Sequence, residues 1–386
     1  MNSLRAAFGR LPTWATFIPI VALAIAVPSL QPIVGDNWLP MTTVVFCAIY
    51  AVFALGLNVV VGYAGLLDLG YVAFFLIGAY TSGWLMSDFF YQTNFHLFSA
   101  SLPAIFGIHL SFWLVAIIAA IHAAIWGVII GLPTLRLKSD YLAIVTLGFG
   151  EIMPQAVRNG DGIGGFNLTN GTKGIGPLDP IGMGLLGYLP GVPAVVTAFD
   201  FTVRYYIILA LGALFVFVSL RLRVGKLGRA WLAIRDDELA ASLMGVPLMR
   251  TKLASYAVGA AIGGVAGAFY GVAVGIVNVD TFTFQFSIIV LAMVIVGGMG
   301  NVWGVMLGAV IVSWFNQTGL TEIGNTVNSR FGTSYDIPRY QFLLFGLVLV
   351  FMMLYRRDGL LPAARQRKVR EFESELEKVG TAEGGA

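Results

Sequence analysis

Between two long apolar runs lies the basic segment Arg221–Lys252, and inside it the stretch Asp236-Asp237-Glu238-Leu239-Ala240-Ala241-Ser242-Leu243-Met244-Gly245-Val246-Pro247. The pattern predicts a short helix with both ends specified. Asp236 is placed to cap the first free N–H groups, and Asp237 and Glu238 suit the positive end of the helix dipole. Gly245 supplies a left-handed stop, and Pro247 prevents continuation. Leu239/Leu243 and Ala240/Met244, each four residues apart, give one apolar stripe. At 1.5 Å per residue the helix is about 12 Å long, too short to cross a bilayer. It reads as a peg that a soluble partner grips in a groove.

The chain around this segment is that of a polytopic membrane protein. Of 386 residues, 58% are hydrophobic and 11% charged, and mean hydropathy is +0.84; a soluble domain carries about 25% charged residues. Forty-seven glycines and 28 phenylalanines fit the class, because small residues let helices approach closely in lipid. A net charge of +3 offers no basic surface suited to nucleic acid. The single cysteine, Cys47, excludes an intrachain disulfide, and His96, His109 and His122 show no metal-ligand spacing and read as loop or helix-face residues. Arg5 and Arg10 before an apolar run from Trp14 imitate a signal peptide, with Ala22-Leu23-Ala24 like a cleavage site. Apolar character continuing through Leu30 points to an uncleaved signal-anchor.

Apolar runs predict spans near 14–33, 40–62, 69–86, 111–132, 141–157, 205–222, 252–277, 285–297, 299–315 and 340–355. The expected fold is therefore all-α, with about ten transmembrane or re-entrant helices. Placing both termini in the cytoplasm puts 18 of the 23 Lys and Arg residues there; Arg158, Lys173, Arg204, Arg330 and Arg339 remain outside. That asymmetry obeys the positive-inside rule. The division is a transmembrane domain over 1–362, with a cytoplasmic loop at 221–252 and an external loop at 158–204, and a charged cytoplasmic tail at 363–386. Long loops of this kind are functional or partly folded on the surface. Two glycine-rich segments, Gly62-Tyr63-Ala64-Gly65 and Gly297-Gly298-Met299-Gly300, suggest corresponding parts of a repeat of the sort transporters use.

Asp68 and Glu151 are the carboxylates nearest the membrane interior, where an ionisable group is a functional candidate by default. Asp68 falls in a predicted cytoplasmic turn. Glu151 sits in Leu147-Gly148-Phe149-Gly150-Glu151-Ile152-Met153-Pro154, where Pro154 frees a backbone carbonyl; structural hydrogen bonding is its favoured role. Gly171-Thr172-Lys173 reverses the order a phosphate loop needs, and nucleophile-elbow, His-Glu-x-x-His and Cys-x-x-Cys motifs are absent. Neither an ATPase site nor an intramembrane enzyme is expected.

Gly56 to Tyr71, followed by Gly78-Ala79-Tyr80, closely resembles the M-type permease subunit of branched-chain amino-acid ABC importers. So do Leu135 to Glu151, Leu227-Gly228-Arg229-Ala230-Trp231, Phe282-Thr283-Phe284, Gly297 to Gly300, and Asp358-Gly359-Leu360-Leu361-Pro362. The likeness covers roughly residues 40 to 362. It implies a subunit in the bacterial inner membrane that pairs with a second homologous permease, two cytoplasmic ATPases and a periplasmic or lipid-anchored binding protein. ATP and Mg would bind those ATPases, and this chain would hold no cofactor. The family's coupling motif, Glu-Ala-Ala-x-x-x-Gly, aligned on Gly245 places Leu239-Ala240-Ala241 in the triplet with Glu238 one position early. The coupling set so implied is Arg229, Asp236, Asp237, Glu238, Ala240, Ala241 and Gly245.

Free energy would come from ATP bound elsewhere, and this chain would supply a lever and half of a path. Interrupted, glycine-rich helices expose backbone that lipid cannot satisfy. This predicts that Asn58, Gly62, Gly65, Asp68, Gly70, Thr146, Gly148, Gly150, Glu151, Gly297, Gly298 and Gly300 line the path. Leucine, isoleucine and valine are the leading cargo, with urea and short amides as the alternative. A proton-coupled carrier using Glu151 or Asp68 is the competing class.

Overall fold

A computed structural model describes residues 18–99, 106–136, 139–162, 164–182, 195–196, 200–331, 336–356 and 359–361. The signal-like start, most of Ile181 to Ala198 and the charged tail from 363 lie outside them. Each of the ten predicted apolar runs falls on a helix. These are α1 (Ile18–Val34), α2 (Met41–Tyr63), α3 (Val72–Leu85), α4 (Phe112–Thr134), α5 (Ser139–Arg158), α6 (Phe201–Val224), α9 (Leu248–Val274), α10 (Phe284–Gly297), α11 (Val302–Trp314) and α13 (Gln341–Tyr355). The α6–α9 connection folds as α7 (Lys226–Asp236) and α8 (Glu238–Leu243). Two helices were not expected: α7, and the amphipathic α12 (Leu320–Phe331), which follows a π-helical turn at Phe315–Gly319.

Among the described residues, five helices are long and apolar enough to cross a membrane: Met41–Tyr63, Phe112–Thr134, Phe201–Val224, Leu248–Val274 and Ile337–Tyr355, the last including the turn before α13. Their burial sets their place. In α2, 89% of the apolar window is buried, against 11% in the α13 span, so α2 is central and α13 peripheral. A helix apolar on every side must be enclosed by others, and α2 packs against α6, α9, α10 and α11. Aromatic rings fill this centre, with Phe53 stacked on Tyr71 at 4.8 Å and beside Phe75 at 4.5 Å.

Where α3 crosses α9 the backbones touch. A Cβ on Gly78 would overlap the Gly264 carbonyl, and one on Gly267 the Phe75 carbonyl. This is packing by small residues, which lets dispersion and close backbone approach hold helices together in an apolar solvent.

The expectation of an all-α chain needs one correction. At the end of the bundle away from α7, strands β1 (Met86–Ser87), β2 (Asn94–Leu97) and β3 (Gly107–Leu110) form a sheet in the order β1-β3-β2, with β3 antiparallel to β1 and parallel to β2. A second pair joins β4 (Ile181–Gly182) to β5 (Val195–Val196). Strands of two to four residues carry too little alternation to register as a period. The segment after α5 docks onto this cap: Asp179 N–H donates to the Met86 carbonyl (2.7 Å), and Ile175 and Val277 exchange both backbone bonds at 2.9 Å. Nδ1 of His109 lies 2.7 Å from Oδ2 of Asp179 in a buried pair, and His96 stacks on His109 at 4.6 Å. His109 is thus a buried strand residue rather than a loop or helix-face one. No group of three metal-binding side chains occurs among the described residues.

Candidate functional site: the α7–α8 end and the open face of α5

The short helix predicted from Asp236 is present one residue later. Asp236 ends α7, and Asp237 is the N-cap of α8, its Oδ1 accepting from Ala240 N–H at 3.0 Å. The shift has a local cause. Trp231 and Ile234 bury one face of α7, which carries helical geometry through Asp236, so capping passes to the first extended residue (φ −156°). Gly245 takes φ +83°, the left-handed stop read from the sequence, and α9 begins after Pro247.

Only Ala241 of α8 is buried, and the predicted stripe points away from the bundle. Leu239, Leu243 and Met244 are 70–86% exposed, and Ala240 lies beside them in the open. The pair of helices is bonded to α9: the Trp231 indole N–H donates to the Thr251 carbonyl (2.7 Å), and Lys252 Nζ lies 2.6 Å from Glu238 Oε1. Glu238, one position off the family triplet, is therefore an anchor of α8. Arg229 donates to the Val224 carbonyl at 2.8 Å and closes the end of α6.

The two glycine-rich segments meet at this end. α2 finishes in a π-helical turn, Asn58–Tyr63, and Asn58 Oδ1 accepts from the Gly300 N–H at 2.8 Å. A Cβ on Gly62 would lie 2.6 Å from that same nitrogen. Gly298 and Gly300 have φ of +112° and +85°, and beyond them Leu361 N–H donates to the Gly297 carbonyl at 3.1 Å. Arg235 of α7 donates to the Gly62 carbonyl, and its side-chain stem lies against Gly65. A cleft of about 170 Å³ remains here, lined in part by Gly65, Arg235, Glu238 and Lys252.

Asp68, Gly70, Thr146 and Gly150 are also brought together, in a buried joint between the turn before α3 and the middle of α5. Asp68 Oδ1 accepts from Gly70 N–H (2.8 Å), and Leu69 N–H donates to Thr146 Oγ1 (3.1 Å). A Cβ on Gly150 would come 2.9 Å from the Gly70 Cα. Asp68 is 3% exposed, and burial pushes its carboxyl up to about 7 against the partial offset of the Gly70 N–H.

Glu151 departs from its favoured structural role. It is exposed and makes no hydrogen bond or ion pair with another described residue. Tyr141, Ile144, Glu151, Ile152 and Gln155 share one open face of α5 at helical spacing. Gly148 belongs to that face, and a Cβ there would meet nothing within 4 Å. Thr146 and Gly150 are on the opposite, packed face. Arg235 was missed in the sequence, although its spacing from Trp231 and Ile234 sets it on the face of α7 turned to the bundle.

The chain is 36% identical over 337 residues to the high-affinity branched-chain amino acid transport system permease protein LivM of Escherichia coli K12, covering 82% of this chain and 68% of that one. It is 27% identical to a probable LivM of Methanocaldococcus jannaschii, over 81% and 90% of the two chains. The permease protein LivH of Salmonella typhimurium is 25% identical over 83% and 93%. No solved structure matches. Residues 39–353 match the permease component of the branched-chain amino acid transport system, and the chain belongs to that family of transport permease subunits, which are not themselves enzymes.

Proposed function

We propose that this chain is the M-type half of an ATP-driven importer of leucine, isoleucine and valine in the bacterial inner membrane. Its partners are a second, LivH-like permease, two cytoplasmic ATPases and a binding protein on the other face. The path follows the open face of α5 against the second permease, and the exposed stripe of α8 sits in an ATPase groove. ATP and Mg stay on the ATPases. Closure of those subunits moves α8 and rocks the spans between outward and inward access.

The observation that carries the reading is the exposure of Glu151 and Gln155 on a 20-residue helix. An acidic side chain in the bilayer centre costs about 2.5–3.5 kcal/mol, so such a face belongs against protein or water. A zwitterionic amino acid needs polar partners on its way, and this face supplies them. The positions of basic residues support ten spans with both termini cytoplasmic. Arg221, Arg223, Lys226, Arg229, Arg250 and Lys252 cluster in and beside α7 and α8, whereas Arg158 pairs with Asp280 at the other end.

The test is uptake by the reconstituted complex with labelled leucine, excess urea and acetamide as competitors, and ATP inside or omitted. ATP-dependent leucine uptake that the amides leave unchanged is expected. Uptake by this chain alone on a proton gradient would instead make it a secondary carrier.

A further inference from the structure

Arg235 reaches out of the α7–α8 pair and touches both glycine turns. Its Nη1 donates to the carbonyl of Gly62, at the last turn of α2. A Cβ on Gly300 would lie 3.0 Å from the same Nη1, and one on Gly65 2.8 Å from the Arg235 Cγ, so the side chain passes between the two segments. The turns are themselves joined by Asn58 Oδ1 and Gly300 N–H. A guanidinium suits the place, because the C-terminal carbonyls of a helix carry its negative dipole end and the fork of donors is rigid. Arg235 is held in turn by α7, whose Trp231 is fully buried and bonded to α9. Its neighbour across Asp236 is the cap of α8.

We propose that Arg235 is a positioning residue that ties α7 and α8 to the paired turns Gly62–Gly65 and Gly297–Gly300. This rests on the importer reading above. A push on α8 is passed along α7 and reaches α2 through the Gly62 carbonyl and the α10–α11 turn through Gly300. Two spans far apart in sequence then shift as one. The positive φ of Gly65 (+71°), Gly298 and Gly300 lets these turns lie close enough for one side chain to hold both. An arginine that merely fills an orphan carbonyl would affect folding alone. One that transmits movement sets how much cargo is imported per ATP.

The test uses the full complex in proteoliposomes, with Arg235→Gln, Arg235→Lys and Gly300→Ala. Assembly, ATP hydrolysis and cargo imported per ATP are measured together. Arg235→Gln should assemble and hydrolyse ATP within about twofold of the parent yet import roughly tenfold less per ATP, and Arg235→Lys should recover part of that loss. Gly300→Ala, which crowds the guanidinium from the other side, should lower the same ratio. Import per ATP unchanged in Arg235→Gln, or hydrolysis and import falling in parallel, would overturn the proposal. So would failure of both Arg235→Gln and Gly300→Ala to assemble, which would make the contact a folding element. A parent complex that imports urea rather than leucine corrects only the cargo, since the ratio is read with whichever cargo the parent carries. A parent with no ATP-driven import overturns the importer reading itself.

Discussion

Lys252 and Glu238 face each other at 2.6 Å, with the lysine side chain 7% exposed and the glutamate 52%. The pair joins the first turn of α8 to α9, and its two ends live in different surroundings. The ammonium is buried and depends on its partner, whereas the carboxylate keeps access to solvent. Glu238→Ala should therefore cost about 1–2 kcal/mol, below the 3–5 typical of a fully buried pair, because solvent screens one side. Lys252→Met with Glu238→Leu should recover most of the loss, since no buried charge is then left alone. Thermal unfolding of the purified complex in the single and the double variant checks both statements.

Gly245 holds φ +83°, and a Cβ there would meet nothing within 4 Å. Strain at this position is therefore conformational, not steric. Gly245→Val should bend the exit from α8 at a cost of about 1–2 kcal/mol or more, while Gly245→Asn, which tolerates the left-handed region, should be nearly silent. The expected readout is an assembled complex with weakened coupling of hydrolysis to uptake in the valine variant. Normal uptake and normal ATPase stimulation there would separate α8 from coupling.

Asp68 gives the joint a pH dependence. Its folded-state value of about 7 lies above the ordinary carboxylate range near 4, so the folded protein keeps a proton that the unfolded chain loses between those values. Stability from this group is thus fully present below pH 4 and falls as pH rises to about 7, by no more than roughly 4 kcal/mol. Asp68→Asn should flatten the melting temperature between pH 5 and pH 8, leaving the bond from Gly70 N–H to Oδ1 in place.

The helices were legible because each apolar run is long and carries few charges, and Gly245 and Pro247 stop α8 where their backbone preferences require. The cap was misplaced by one residue because Asp236 and Asp237 have the same capping chemistry, and only burial of Trp231 and Ile234 on α7 decides between them. Glycine content marked the segments at 62–65 and 297–300 but could not show that they touch, since the bond from Gly300 to Asn58 spans 242 residues. The open face of α5 was hidden for a related reason. Gly148 and Gly150 look alike in sequence, and only the position of Gly70 tells them apart.

Sidedness is accessible through two exposed positions. Gly162 follows α5 at the cap end, Asp237 lies between α7 and α8, and Cys47 is buried. In a Cys47→Ala background, an impermeant thiol reagent on intact cells should label Gly162→Cys and spare Asp237→Cys until the membrane is opened. Labelling of both from outside would refute the assigned orientation.

Gly148 and Gly150 separate transport from packing within one turn of α5. A side chain at Gly150 meets the Gly70 Cα at 2.9 Å, so Gly150→Ala should force α5 off the turn before α3 and lower the yield of assembled complex. A side chain at Gly148 meets nothing in this chain, so Gly148→Leu should leave the subunit folded. Placed beside Glu151 on the open face, that leucine would narrow the path or the junction with the second permease. Uptake should fall while the subunit's own melting temperature stays within a degree or two of the parent, as surface substitutions usually do. Assembly is measured alongside, because a leucine that blocks the second permease lowers complex yield, whereas one in the path lowers uptake alone. If Gly148→Leu assembles and transports at the parental rate, the path does not run along this face of α5.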